Sequence, residues 1–87
     1  MIIIVSKNFE KKVAKLRPKI KVALALRLKL FTDNPHHSSL NNHSLGGSLR
    51  AYRSININGD YRLIIEEFQK DTYRLIDIDT HHGLYGT

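Results

Sequence analysis

Three apolar-rich runs lie near residues 49–57, 61–68 and 73–80, with only short turn sequences between them. That spacing confines the second half of the chain to an antiparallel meander, because gaps this short cannot hold crossover helices. Asn58-Gly59 marks the first hairpin, and Gln69-Lys70-Asp71-Thr72 suits the second. Register follows from keeping apolar side chains on one face. On the last two strands, pairing residue 63 with 78 and residue 65 with 76 aligns Leu63 and Ile65 with Ile78 and Ile76. It also sets Arg62 opposite Asp79 and brings Asp60 near His81. In the first hairpin, a two-residue Asn58-Gly59 turn would set Ile55 against Arg62 and mix core with polar residues. A three-residue loop, Asn58-Gly59-Asp60, sets Ile55 against Leu63 and Asn56 against Arg62, and separates the faces. The uncovered face is then predicted to carry Tyr52, Ser54, Asn56, Arg62, Asp79 and His81.

The first half reads as a strand and two helices. Met1-Ile2-Ile3-Ile4-Val5 is too short for a signal peptide or a membrane span and is predicted to be a buried strand. Ser6 precedes a helical pattern in which Phe9, Val13 and Leu16 share a face. Pro18 fits the first turn of a second helix. Its stripe is Ile20, Ala23, Leu24, Leu28 and Phe31, widened by Val22, Leu26 and Leu30. Asp33-Asn34-Pro35 ends it, since proline disfavours helix in the preceding residue. Residues 36–48 are polar and read as a loop, too few to link two domains. The expectation is one α+β domain over residues 1–87: an N-terminal strand, a basic two-helix hairpin, then a three-stranded antiparallel sheet.

The net charge of +6 is unevenly placed. Through Asp33 nine Lys and Arg face two acids, +7; the remainder has five against six, −1. A basic helical half attracts a polyanion, most simply nucleic acid, although a solvated lysine-rich helix surface has the same composition. With no cysteine, disulfides and thiolate zinc sites are excluded, which fits a reducing cytoplasm. His36, His37 and His43 lack a carboxylate or thiolate to complete a metal site, so no metal or other cofactor is expected.

The polar face suits one chemistry. Cleaving RNA without a metal requires a base for the 2′-hydroxyl, a cation for the charge growing on phosphorus, and an acid for the leaving 5′-oxygen. His81, at a rigid strand end, is suited to acid or base work, the role for which imidazole is the usual side chain. Arg62 grips phosphate oxygens in a planar fork. Asp60 is placed to orient His81 or act as base, His43 approaches from the loop, and Tyr85 is suited to stacking a base. Plainer readings exist for each. Arg62 with Asp79 makes an ordinary cross-strand ion pair. Asp60 is a common turn residue. Tyr85 plugs a core edge.

Three motifs carry a family resemblance. His43-Ser44-Leu45-Gly46-Gly47-Ser48-Leu49-Arg50-Ala51-Tyr52-Arg53 resembles a His-Pro-Leu-x-Gly-x-Trp-x-Gly-x-Arg segment. Asp60-Tyr61-Arg62-Leu63-Ile64-Ile65 resembles an Asp-Trp/Tyr-x-Leu-Ile-Tyr strand. Thr80-His81-His82-Gly83-Leu84-Tyr85-Gly86 resembles a closing Thr-His-x-x-Leu-Phe/Tyr-Gly. Together they resemble the RelE/ParE superfamily of bacterial toxins, and most closely its YafQ-type messenger-RNA interferases. The resemblance makes His43, Asp60 and His81 counterparts of catalytic positions, with Arg62 matching the catalytic arginine of the RelE and YoeB branches. Asn56, Tyr61, Tyr85, Arg50 and Arg53 stand as substrate contacts. Three positions depart from the YafQ type: Asn56 replaces a histidine, Asp77 an arginine and Leu49 the tryptophan.

The resemblance implies a type II toxin that cuts messenger RNA in the A site of the 70S ribosome and is silenced by a cognate antitoxin. The basic helices would then dock on ribosomal RNA, with affinity that weakens as salt rises. A ParE-like protein that inhibits DNA gyrase without nuclease activity shares the fold and is the rival reading, as is an inactive antitoxin-binding homologue.

Overall fold

A computed structural model describes residues 1–85, the side chain of Tyr85 excepted. Its elements are β1 (Ile2–Val5), α1 (Lys7–Ala14), α2 (Pro18–Asp33), β2 (His43–Ser44), β3 (Tyr52–Asn56), β4 (Tyr61–Gln69), β5 (Thr72–Thr80) and α3 (His81–Tyr85). The described strands form one five-stranded mixed sheet, ordered β1-β5-β4-β3-β2. The predicted three-stranded meander is its centre. β1 adds in parallel beside β5, and the two-residue β2 adds beside β3.

Register at the functional end is as the alternation predicts. Ile55 pairs with Leu63, Asn56 with Arg62, Leu63 with Ile78 and Arg62 with Asp79. Further along, the expected pairing of residue 65 with 76 does not form. Ile65 faces Leu75, and a bulge places Ile76 outside the ladder. One extra residue reverses the alternation beyond it. Leu75 therefore enters the core while Ile76 is 42% exposed.

Helices α1 and α2 cover one face. The Ser6 hydroxyl accepts the Phe9 amide hydrogen at 3.0 Å and starts α1. Phe9, Leu24 and Phe31 pack with Leu40, Ile55, Ile57, Leu63, Ile65, Leu75 and Ile78. Phe31 meets Tyr73 edge to face, with ring centroids 5.0 Å apart. Two expectations fail here. Val22 and Leu26 do not widen the buried stripe but are 60% and 64% exposed, because each lies two residues, about 200° of helix, beyond a buried neighbour. Nor is β1 buried. As the outermost strand it leaves Ile2, Ile4 and Val5 largely in solvent, and Ile3 packs against the core.

The polar stretch after α2 is more ordered than its composition suggests. It forms 3₁₀ turns at Ser38–Leu40 and Gly47–Leu49, and Leu40 is wholly buried. Arg27 ties α2 to it, donating from Nε to the Ile57 carbonyl at 3.2 Å and from Nη1 to the Ser39 carbonyl at 3.4 Å. Among the described residues no helix is long and apolar enough to cross a membrane.

Candidate active site

The sheet face opposite the helices carries a cleft of about 360 Å³ lined by Asn41, His43, Leu45, Ser54, Arg62 and His81. Three of the four residues with expected catalytic roles thus share one cavity, delivered by β2, by β4 and by the β5–α3 junction. Ser54 forms a buried floor.

Arg62 is half-buried. Its Nη1 donates to the Asn58 carbonyl at 2.9 Å and to the Tyr61 carbonyl at 3.0 Å. Those two bonds use the hydrogens of one terminal nitrogen. The fork keeps its other N–H groups for a ligand, and an anion is the partner such a group recognises. The cross-strand ion pair with Asp79, the plainer reading of Arg62, does not form, although the two residues are register partners. Lys12 takes the acids instead, at 2.6 Å from Asp77 Oδ1 and 3.4 Å from Asp79 Oδ2. The hydrogen bond to Asp77, opposed by desolvation, leaves the Lys12 ammonium with a pKa above its ordinary value. Arg62 therefore keeps its charge uncompensated by the carboxylate across the strand.

His81 opens α3. Its amide donates to the Asp60 carbonyl at 2.9 Å, and the Gly83 amide donates to Thr80 Oγ1 at 2.9 Å, which caps the helix. Asp60 thus reaches the site through its backbone; its exposed side chain is not among those lining the cleft. Its own amide, like that of Tyr61, is bound by Asn58 Oδ1 at 2.9 Å and 2.7 Å, which shapes the turn. His43 sits on the exposed rim, its Nδ1 2.7 Å from the Asn41 carbonyl oxygen.

The residues expected to bind substrate divide. Asn56, opposite Arg62, has a buried Oδ1 without a hydrogen-bond partner among the described residues. Tyr61 packs against the core on the helix side of the sheet rather than in the cleft. Arg53 is occupied too: its Nε donates to Asn42 Oδ1 at 2.6 Å. Arg50 is exposed at the end of the second 3₁₀ turn. The expectation for the Tyr85 side chain lies outside the described residues. Asn41, Leu45 and Ser54 are the cleft residues that sequence reasoning missed as a group, although Ser54 was placed on this face. Among the described residues, no three or more His, Asp or Glu side chains cluster so as to hold a metal ion.

No family model matches the chain, and neither does any curated protein sequence. Solved structures do. YafQ from Escherichia coli strain BL21(DE3) is 27% identical, with 97% of each chain covered and a TM-score of 0.76. The E. coli DinJ–YafQ toxin–antitoxin complex gives 27% identity, 97% of this chain, 96% of that one and a TM-score of 0.76. A YoeB/ParE toxin from Agrobacterium tumefaciens, at 11% identity, shares the fold over 93% of this chain and 99% of its own, with a TM-score of 0.72.

Proposed function

We propose, from the premise that the chain is a RelE/YafQ-like fold protein, that it is the toxin of a type II toxin–antitoxin system. In this reading it is a ribosome-dependent endoribonuclease. The observation that carries the reading is the meeting of His43, Arg62 and His81 around one cleft. Two imidazoles and a guanidinium are the acid, base and cation that phosphodiester transfer asks for. One imidazole takes the proton of the 2′-hydroxyl, and the 2′-oxygen attacks phosphorus. Arg62 holds the non-bridging oxygens as their charge grows, and the second imidazole protonates the departing 5′-oxygen. The products are a 2′,3′-cyclic phosphate and a 5′-hydroxyl. No metal is needed for that scheme. Asp60 serves it by holding His81 through the backbone, and Asn56 by facing the phosphate beside Arg62.

The ribosome is the proposed partner on the opposite side of the molecule. Lys7, Lys11, Lys15, Arg17, Lys19, Lys21 and Lys29 are exposed on or beside α1 and α2. Such a surface docks on ribosomal RNA with a steep salt dependence. The cognate partner is an antitoxin, as in the DinJ–YafQ pair, and the site of action is the cytoplasm.

A gyrase-binding toxin needs no convergence of imidazoles and guanidinium, which is why the nuclease reading is preferred. Primer extension on messages from cells expressing the protein tests it. New 5′ ends should appear within translated codons. They should vanish in His81→Ala while folding and antitoxin binding persist. Growth arrest with intact messages and gyrase-linked DNA breaks would establish the rival.

A further inference from the structure

We infer that the backbone carbonyl of Asn41 is a positioning group for His43: it fixes the imidazole as the Nδ1–H tautomer and makes Nε2 the atom that exchanges a proton at the cleft. The role of Nε2 rests on the nuclease reading; the tautomer rests on geometry alone.

A carbonyl oxygen has no hydrogen to give. With His43 Nδ1 2.7 Å from the Asn41 oxygen, the hydrogen between them belongs to the ring. Neutral His43 then carries its lone pair on Nε2, at the far side of the ring.

The carbonyl is held from both sides. Before it, Leu40 is wholly buried and the Asn41 amide donates to the Ser38 carbonyl at 3.2 Å. After it, Asn42 Nδ2 donates to the Pro35 carbonyl at 2.8 Å while its Oδ1 accepts from Arg53 Nε at 2.6 Å. His43 and Ser44 then pair with Ser54 and Arg53. Turning the Asn41 peptide would break this chain of contacts. Asn41 itself is left-handed, with φ 44° and ψ 46°. Asparagine and glycine adopt that conformation most readily, whereas a β-branched residue resists it. The backbone angle is thus the feature through which a substitution reaches the imidazole.

His37 supplies an internal contrast. Its Nδ1 accepts the Ser39 amide hydrogen at 3.1 Å, so its own hydrogen lies on Nε2. The same protein should therefore show two opposite tautomers.

The experiment is long-range proton–nitrogen NMR of the full chain, ¹⁵N-labelled, at a pH where the imidazoles are neutral, alongside message cleavage on translating ribosomes. In the wild type and in Asn41→Gly, His43 should show a pyrrole-like Nδ1 and a pyridine-like Nε2, with His37 reversed. In Asn41→Val, His43 should lose that preference. Cleavage by Asn41→Val should fall on the order of tenfold, a part of the roughly 100- to 10,000-fold that proton transfer contributes, and Asn41→Gly, which keeps the left-handed backbone, should lose far less than Asn41→Val. The wild-type spectrum decides the tautomer whether or not the valine variant folds. A pyridine-like Nδ1 on wild-type His43 overturns the positioning, even in an active protein. Full-rate cleavage by a folded Asn41→Val with a scrambled tautomer overturns the role of Nε2 in proton exchange. The expected tautomer in a wild type that leaves messages intact upholds the positioning and overturns the role of Nε2, together with the nuclease reading.

Discussion

Gly83 lies directly against the carboxylate of Asp79: a Cβ built on it would stand 2.7 Å from the carboxyl carbon and 2.8 and 2.9 Å from the two oxygens. The carboxylate has little room to retreat, because Oδ1 accepts the Thr80 amide hydrogen at 2.8 Å and Oδ2 faces Lys12. The short helix that begins at His81 can settle on the end of β5 only with a hydrogen at position 83. Gly83→Ala should therefore lift α3 and move His81, costing about 1–3 kcal/mol as overpacking does and lowering message cleavage. Urea midpoints and primer extension measure the two effects. Adding Asp79→Ala in the same chain should recover part of both. An alanine variant with wild-type midpoint and rate would show that the contact does not seat the helix.

The central register was legible because side-chain period is two and only one face is buried: Ile55 with Leu63, and Arg62 with Asp79, follow from that rule. The bulge was not, since Leu75 and Ile76 are adjacent apolar residues and either satisfies the pattern until the partner strand is in place. Leu40 is a single apolar residue in a polar run, with no periodicity to announce that it enters the core. Of the four residues grouped from motif order, His43, Arg62 and His81 line one cleft and Asp60 does not. Their supporting partners were not legible. Which cation captures Asp79 depends on where α1 sits beside β5, and Arg53 is claimed by Asn42 through a loop whose path the letters do not specify. Tyr61, expected as a substrate contact, packs against the core, and an aromatic residue in a strand gives no sign in the letters of which face it serves.

Arg62→Lys should keep the cation and lose the fork. Arg62 anchors itself with one nitrogen on the Asn58 and Tyr61 carbonyls and offers the others outward. A lysine ammonium cannot do both. Cleavage is expected to fall on the order of 100-fold, as when a transition-state donor is removed, with little change in thermal midpoint. Single-turnover cleavage on programmed ribosomes is the measurement. A lysine variant within a few-fold of wild type would remove Arg62 from the phosphate.

Asn56→Val should stabilise the protein and weaken it as a nuclease. A buried carbonyl oxygen without a partner costs roughly 1–3 kcal/mol, and among the described residues Asn56 Oδ1 has none. Valine removes it and suits a strand. The expected gain is about 1 kcal/mol in thermal or urea unfolding, accompanied by slower cleavage because Asn56 faces Arg62. An unchanged or lower midpoint would mean that the amide is not a liability in the free protein.

Lys12 gives a pH signature at the far end of the scale. Its ammonium is held charged above the ordinary value of 10.5, first by the hydrogen bond to Asp77 and against the effect of burial. A raised pKa in the folded state means that the pair's stabilisation is fully present below pH 10.5 and disappears as pH climbs through the folded value. The side chains of Lys12, Asp77 and Asp79 are 41%, 39% and 40% exposed, so screening limits the contribution to under about 1 kcal/mol. Lys12→Met should lower the urea midpoint slightly at neutral pH, and the gap from wild type should close above pH 10.5. A gap that stays constant into that range would assign the effect to the lysine's methylene packing rather than to its charge.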